Sequence, residues 1–417
     1  PTQEKEQAFA HIPRTPPTLT ELLCQIIMKL SDFKHAIARF FGKCKREDTM
    51  PNIQDYVLWR GDLPLERVPL CDVDALLLSY LSYMPYDHIA GDAFDEGISL
   101  RDAAQKLLEV NERDKTPLAY NVREDRKLLA ALMESARFRD IRLVGYVNKV
   151  DPEQEEQFAA VTYLLGEGRA FVAFRGTDNT VVGWKEDFNM SFVCPVAGQV
   201  LAVAYLERAA KQYPDCPITV LGHSKGGNFA VYAAAFCAPT TQARIRAVCN
   251  YDGPGFDEKI LAADGYKAIC GKISTLVPQS SIVGMLLGHE ESYTIVHSEQ
   301  VGILQHDLFS WEVRRDSFSH LETVDNSSRF INYTLKKWIA DMDYEQRETF
   351  TDAIYTILTE THASTLRELS DNWFESAKTI AKSLGNLDEP TRRALTQAIS
   401  LLAKSAKSGL AQIIESK

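Results

Sequence analysis

The sequence lacks several features that would restrict its class at once. Its eight cysteines include no C-x-x-C pair, so neither a disulfide scaffold nor a zinc site is indicated, and we expect reduced, mostly buried thiols. No uninterrupted apolar run approaches the roughly 18–20 residues of a membrane-spanning helix, and no signal peptide is visible. These absences predict a soluble, cytoplasmic protein.

An excess of basic charge and the common cofactor motifs are also missing. Lys and Arg number 46 against 57 Asp and Glu, giving a formal net charge of −11. This argues against a nucleic-acid partner, because such proteins usually present a basic face. No GxxxxGK[ST], no GxGxxG after a strand and no H-E-x-x-H occurs, so we expect no nucleotide cofactor and no metal.

The first 50 residues predict a loose arm followed by a basic amphipathic helix. Apolar residues recur at helical spacing over residues 19–41, and lysines and arginines occupy many of the other positions. Such a helix either packs on the main domain or a partner, or lies on a membrane surface as a peripheral anchor. The sequence leaves this choice open, together with the oligomeric state.

From about residue 52, strands alternate with helices, which predicts an α/β fold with βαβ units and a mainly parallel central sheet. Strands are predicted at 141–147, 158–164, 170–174, 217–221, 245–250, 272–277 and 293–296, and helices at 72–83, 99–110, 122–136, 199–213 and 225–237. After about residue 330 only helical periods occur. The predicted units are an N-terminal segment over 1–50, an α/β domain over 51–325 and a helical extension over 326–417.

The strongest chemical signal is the G-x-S-x-G sequence at residues 222–226, between a predicted strand and a predicted helix. This context is typical of a nucleophile elbow, in which a serine occupies a sharp, strained turn and the flanking glycines avoid a collision. The helix that follows directs backbone N–H groups towards a developing oxyanion. We therefore predict Ser224 as a nucleophile in an α/β-hydrolase fold.

A second motif lies upstream, where the residues Phe-Arg-Gly-Thr at 174–177 are followed by Trp184 and Asp187. Together with the elbow, this pattern resembles the class 3 (fungal-type) triacylglycerol lipases. It is closer still to a family of uncharacterised bacterial serine hydrolases related to them. The resemblance covers about residues 52–320.

The resemblance carries two expectations for the loop after the strand at 170–174. The backbone N–H groups of Thr177 and Lys225 would form the oxyanion hole, with Lys225 directly following the nucleophile. Arg175 and Asp187 match positions that form an ion pair in such lipases, and we interpret that pair as a structural brace.

A serine nucleophile needs a base, which follows it in the chain order of α/β-hydrolases. His306 comes after the last predicted strand, where a loop would lie at the carboxyl edge of the sheet, and it matches a Gln-His-Asp segment of the bacterial family. His306 is therefore the predicted base, and His289 is an alternative.

The sequence offers several candidates for the acid that orients the base. Class 3 lipases carry an Asp after the strand matching residues 272–277, but no carboxylate stands there in this chain. Asp252 ends the preceding strand, where some other α/β-hydrolases place the acid, and it is the predicted orienting group. Asp307, Asp257 and a Ser-His pair without a carboxylate are alternatives, and Asp252 also suits a simple turn before Gly-Pro.

Two apolar loops, at 181–196 and 282–287, flank the predicted site. They form either core packing or an acyl pocket with a lid, for which Ile282, Met285 and Leu286 are the predicted substrate-binding residues. The sequence thus predicts a serine hydrolase of carboxylic esters, with a lipid or medium-length acyl group. The alternatives are a non-catalytic lipid-binding or scaffold protein, and a thioesterase, amidase or acyltransferase that uses the same site.

Overall fold

The computed structural model describes residues 50–415, except 96, 115–116, 120–121, 152, 154–155, 179, 191–192, 325 and 362–372. The helix predicted over residues 19–41 lies outside the described residues.

The first part of the described chain builds helices and an antiparallel edge, and the second builds the parallel strands. The elements up to the third long strand are α1 (Ile53–Arg60), α2 (Asp72–Leu81), β1 (Ile98–Ser99), α3 (Leu100–Asp114), α4 (Val122–Glu134), β2 (Arg142–Asp151), β3 (Glu156–Leu165) and β4 (Arg169–Phe174). The following elements are α5 (Val181–Asn189), α6 (Ala197–Gln212), β5 (Ile218–His223), α7 (Lys225–Phe236), α8 (Pro239–Gln242), β6 (Ile245–Tyr251), α9 (Glu258–Leu261), α10 (Asp264–Cys270), β7 (Ile273–Pro278) and β8 (Tyr293–Val296).

The described residues that follow form three short strands and four α-helices. They are β9 (Val313–Arg314), β10 (Ser317–Phe318), β11 (His320–Leu321), α11 (Asn326–Ala340), α12 (Tyr344–Thr359), α13 (Trp373–Asn386) and α14 (Glu389–Glu415). None of the helices in the described residues combines the length and apolar character that crossing a lipid bilayer requires.

Among the described residues, the main sheet has the strand order β1-β2-β3-β4-β5-β6-β7-β8-β11. Strands β4 to β8 run parallel, and antiparallel strands complete both edges. The predicted α/β class with a parallel sheet core is confirmed. Because β4, β5, β6 and β7 are parallel neighbours, the loops that follow them meet at one edge of the sheet.

Both faces of the sheet are buried, as the side-chain alternation of β4 illustrates. Phe171 and Ala173 pack on one face, in the cluster that contains α2, while Val172 and Phe174 pack on the other, against α6 and α7. This two-sided burial explains why the central strands have continuous apolar sequences.

The chain after residue 325 is helical throughout its described part, in agreement with the sequence pattern. Trp338 of α11 donates from its indole nitrogen to the carbonyl of Ala398 in α14, at 2.8 Å. Helix α12 packs against α5, so the C-terminal helices contact the α/β part beside the carboxyl edge of the sheet. The boundaries of the three predicted units remain predictions.

Candidate active site

Ser224 occupies the sharp turn between β5 and α7. Its backbone has φ +58° and ψ −133°, a conformation that costs a non-glycine residue free energy and persists only when its surroundings enforce it. A Cβ on Gly222 would lie 2.1 Å from the carbonyl oxygen of Gly226, and one on Gly226 would lie 2.1 Å from that of Phe174. The two glycines of the motif are therefore required by close backbone contacts.

Asp252 and His306 lie together on loops that follow β6 and β8. The Nδ1 atom of His306 is 2.6 Å from Oδ2 of Asp252, whose side chain is 1% exposed. The other carboxylate oxygen, Oδ1, accepts hydrogen bonds from the Ser281 hydroxyl at 2.5 Å and the Gly284 N–H at 3.1 Å. With Nδ1 as the donor to Asp252, Nε2 is the ring atom of His306 that can accept a proton.

The alternative acids have other roles in the structure. Asp257 caps α9 by accepting the N–H of Ile260 at 2.9 Å, and Asp307 accepts the N–H of Phe309 at 3.0 Å. Of the candidate acids, Asp252 is the one whose carboxylate contacts His306.

The alternative base, His289, belongs to a separate buried pair. Its Nδ1 lies 2.9 Å from Oε1 of Glu291, and its Nε2 lies 2.9 Å from the carbonyl oxygen of Gly284. Each ring nitrogen of His289 thus lies against an oxygen atom within hydrogen-bond distance. Through Gly284, this pair braces the loop whose N–H donates to Asp252.

Glu291 is a strongly stabilised carboxylate. Burial by itself would raise its pKa, but hydrogen bonds from His289, Tyr266 and Thr275, with the charge of His289, outweigh burial and lower the pKa to about 2. The Tyr266 hydroxyl donates to Oε2 at 2.5 Å and the Thr275 hydroxyl to Oε1 at 2.7 Å. This carboxylate ties β7 and α10 to the loop before β8.

His223, the residue before Ser224, joins the loops of the site through hydrogen bonds. Its Nε2 is 3.0 Å from the carbonyl oxygen of His306, so this nitrogen carries the hydrogen, and Nδ1 accepts from the Tyr83 hydroxyl at 2.9 Å. The Tyr83 oxygen in turn accepts the N–H of Gly176 at 3.1 Å. Burial, with a smaller effect of His306, holds the pKa of His223 well below its usual range, in agreement with this neutral form.

The side-chain contacts that hold the loop after β4 differ from the predicted Arg175–Asp187 ion pair. The Thr177 hydroxyl donates to the Asp187 carboxylate at 2.6–2.7 Å, while Arg175 lies 3.2 Å from Asp178. The predicted Arg175–Asp187 ion pair is wrong: the cation near Asp187 is Lys225, whose Nζ is 3.8 Å away. Burial raises the pKa of Asp187 to about 6, and the charge of Lys225 opposes the rise.

Lys225 forms a buried ion pair that the sequence analysis missed. Its Nζ is 2.7 Å from Oε2 of Glu186, both side chains are 1% exposed, and it also donates to the carbonyl of Gln157 at 3.3 Å. The available signal was a lysine at the start of a helix rich in alanine and other apolar residues, since a charged side chain that is buried with such a helix requires a partner. The pair joins α5 to the start of α7.

An apolar cavity of about 650 Å³ opens beside Ser224 and His306, and Thr177 and Lys225 also line it. Its apolar lining comes from α2, α5, the loops after β6, β7 and β8, and the C-terminal helices: Tyr80, Trp184, Phe188, Met190, Pro254, Val283, Leu286, Leu287, Ile303, Leu304, Leu308 and Ile339. Within the described residues, no group of three His, Cys, Asp or Glu side chains is placed to hold a metal ion.

Of the predicted substrate-binding residues, Leu286 lines this cavity, but Ile282 and Met285 do not. Met285 is buried in a cluster with Val277 and Ile295 instead. The loop turns at this point, with the N–H of Leu286 bonded to the carbonyl of Val283 at 3.0 Å and Leu287 at φ +61°. The turn brings Val283 and Leu287 of this loop to the cavity in place of Ile282 and Met285.

A sharp serine turn between a strand and a helix, at the carboxyl edge of a parallel sheet and beside an apolar cavity, defines the chain as an α/β protein with the kind of elbow that α/β-hydrolases share. The family model described as Mbeg1-like matches residues 132–356, more than half of the chain, and the chain belongs to that family. The resemblance to a bacterial hydrolase family remains a prediction.

Comparison with solved structures finds fungal lipases at low identity. The Rhizomucor miehei lipase in its propeptide complex is 19% identical with a TM-score of 0.29, and the match covers 38% of this chain and 57% of that lipase. Lipase II from Rhizopus niveus is 14% identical with a TM-score of 0.32, covering 55% and 83%. The lipase from Rhizopus microsporus var. chinensis is 14% identical with a TM-score of 0.32, covering 67% and 90%. Curated protein sequences give no match.

Proposed function

We propose that this protein is a serine hydrolase that cleaves carboxylic esters with an apolar acyl group. The observation that carries the proposal is the 2.6 Å contact between His306 Nδ1 and Asp252 Oδ2, with His306 on the same cavity as Ser224. A histidine oriented by a buried carboxylate beside a strained serine is the arrangement that activates a hydroxyl nucleophile.

The reaction follows from the roles of these groups. Ser224 Oγ attacks the ester carbonyl as His306 Nε2 takes its proton, and Asp252 stabilises the imidazolium that forms. His306 then passes the proton to the departing alcohol oxygen, which leaves an acyl-serine. A water molecule, deprotonated by His306, hydrolyses this acyl-enzyme and restores the serine.

The oxyanion that forms on the carbonyl oxygen needs nearby donors. We assign this role to the backbone N–H groups of Thr177 and Lys225, residues that line the same cavity as Ser224. Lys225 begins α7, so the partial positive charge of that helix N-terminus adds to the stabilisation. Loss of one such donor costs on the order of 10²–10³ in rate.

The apolar lining supports an acyl substrate, since the cavity volume falls within the range of small-molecule sites. A thioesterase or acyltransferase would use the same groups, with a sulfur leaving group or a different acceptor. The non-catalytic alternative was motivated by the missing carboxylate after β7, and the contact of Asp252 with His306 favours catalysis instead.

Membrane contact through residues 19–41 and a cytoplasmic location remain predictions from the sequence.

The test is hydrolysis of p-nitrophenyl esters by the wild-type protein and by Ser224→Ala. We expect the variant to lose at least about a thousand-fold in kcat, because the nucleophile is absent. Ser274→Ala, at an exposed serine of β7, is the matched control and retains full activity. Ester hydrolysis by Ser224→Ala at the wild-type rate would overturn the proposal.

A further inference from the structure

The C-terminal helices contribute directly to the cavity. Ile339, in the last turn of α11, lines the same cavity as Ser224 and His306. It lies more than a hundred residues beyond the elbow in the sequence and outside the segment that resembles class 3 lipases. The α/β part therefore does not enclose the cavity by itself.

The position of Ile339 is fixed by packing within the C-terminal helices. Its neighbour Trp338 is 9% exposed and bonds to the carbonyl of Ala398 in α14. Ile339 itself packs against the buried cluster of Trp338, Met342 and Ala398. A side chain held in this way presents a defined surface to the cavity.

Helix α5 forms another wall of the cavity, and helix α12 packs against it. Lys185 of α5 lies 2.9 Å from the Asp352 carboxylate of α12, and its Nζ is 4.5 Å from the ring centre of Tyr355. The Lys185 side chain is only 6% exposed, so these contacts replace most of its water. Helix α5 supplies Trp184 and Phe188 to the cavity lining, and its placement thus depends on α12.

We propose that α11 forms a wall of the acyl-binding cavity while α12 holds α5 in place, and that Ile339 limits the size of the acyl group that the cavity accepts. The inference rests on the proposed function, because the acyl group in question belongs to the ester that the protein would hydrolyse. Apolar pockets discriminate through small volume differences, since one methylene group that does or does not fit changes kcat/KM by about 10- to 200-fold.

The experiment compares Ile339→Phe and Ile339→Ala on p-nitrophenyl esters from butanoate to hexadecanoate. Ile339→Phe fills part of the cavity, and we expect the ratio of kcat/KM for the longest ester that wild type accepts to kcat/KM for the butanoate ester to fall about tenfold or more. Ile339→Ala enlarges the cavity and shifts the optimum towards longer chains. Ala340→Phe, at the exposed next position of α11, is the control and leaves the profile unchanged.

A binding measurement separates failure of this inference from failure of the proposed function. In the Ser224→Ala background, alkanoates of the same lengths displace a fluorescent fatty-acid probe, and Ile339→Phe weakens displacement by the long ones selectively. If Ile339→Ala does not fold, Ile339→Val takes its place. It removes one methyl group, and we expect a smaller shift of the optimum towards longer chains.

Two results decide the matter. If wild type hydrolyses esters but the chain-length profile and the displacement series are the same in all Ile339 variants, the inference is wrong and the hydrolase proposal stands. If no ester is hydrolysed but displacement shifts with Ile339, the cavity wall is supported and the catalytic proposal fails.

Discussion

At the scale of single residues, the sharp turn at Ser224 was predicted from one local motif, while Asp252 was predicted as the acid among several candidates. The elbow is local, because five consecutive residues and their flanking elements define it. The acid depends on which strand ends meet, and that is a property of the folded sheet. In the structure, Ser281 stands after β7, near where class 3 lipases carry Asp, and it donates to Asp252. The hydroxyl thus supports a carboxylate supplied by the neighbouring strand.

The role of Asp252 predicts a large effect of Asp252→Asn. The amide presents a different donor pattern to Nδ1 of His306 and favours the wrong ring tautomer, so we expect kcat to fall by on the order of 10⁴. The measurement is kcat for a short p-nitrophenyl ester, with folding checked by thermal unfolding.

The matched control for this variant is Asp257→Asn, which changes a helix-capping aspartate to another good capping residue and keeps wild-type kcat. An Asp252→Asn enzyme within tenfold of wild type would show that the carboxylate does not orient the base.

At the scale of elements, the main discrepancy is α5, which the sequence predicted as part of an apolar loop. The segment contains β-branched valines and a glycine near its start, which are weak helix formers. Thr180 caps it through the N–H of Gly183 at 3.1 Å. Its other support is distant in sequence, from the Lys225–Glu186 pair and the packing of α12. Local patterns could not reveal contacts of that range.

The long elements were predicted because their patterns are strong. Central strands such as β4 and β5 are short apolar runs between turn signals, and the amphipathic helices show clear helical periods. The strands β1, β9, β10 and β11 have two residues each and were missed, because two residues carry no periodicity. Strands β1 and β11 are placed by pairing at the edges of the main sheet, and β9 and β10 by pairing with each other.

At the scale of the whole molecule, the α/β class was predictable and the arrangement around the cavity was not. Alternating strands and helices imply the parallel sheet and place the loops at one edge. The contribution of Ile339 requires the C-terminal helices to pack against that edge of the sheet. Local sequence patterns predict these helices but do not indicate where they pack. For the same reason the buried pair of His289 and Glu291 behind the acid loop was not foreseen.

That pair predicts how the stability of the molecule depends on pH. Glu291 has a pKa of about 2 in the folded protein against an ordinary value of 4.5, so its carboxylate stabilises the fold above pH 4.5. This contribution is lost as the pH falls from 4.5 to 2. The difference of 2.5 pKa units corresponds to about 3 kcal/mol at neutral pH.

We therefore expect Glu291→Gln to lower the free energy of unfolding by about 3 kcal/mol at neutral pH, and to flatten its slope below pH 4.5. Urea titrations across this pH range measure both quantities. Glu290→Gln, at the exposed neighbouring position, serves as the control. An unchanged slope in Glu291→Gln would contradict the assigned contacts.

The central claim is that Ser224 is an activated nucleophile, and its most direct test is covalent labelling with an active-site fluorophosphonate. Wild type and Ser224→Ala are treated side by side, with and without detergent, and intact mass and peptide mapping locate any adduct. The account predicts one adduct on wild type, on the peptide that contains Ser224, and none on the variant. Equal labelling of both proteins, or no labelling of wild type under either condition, would contradict it.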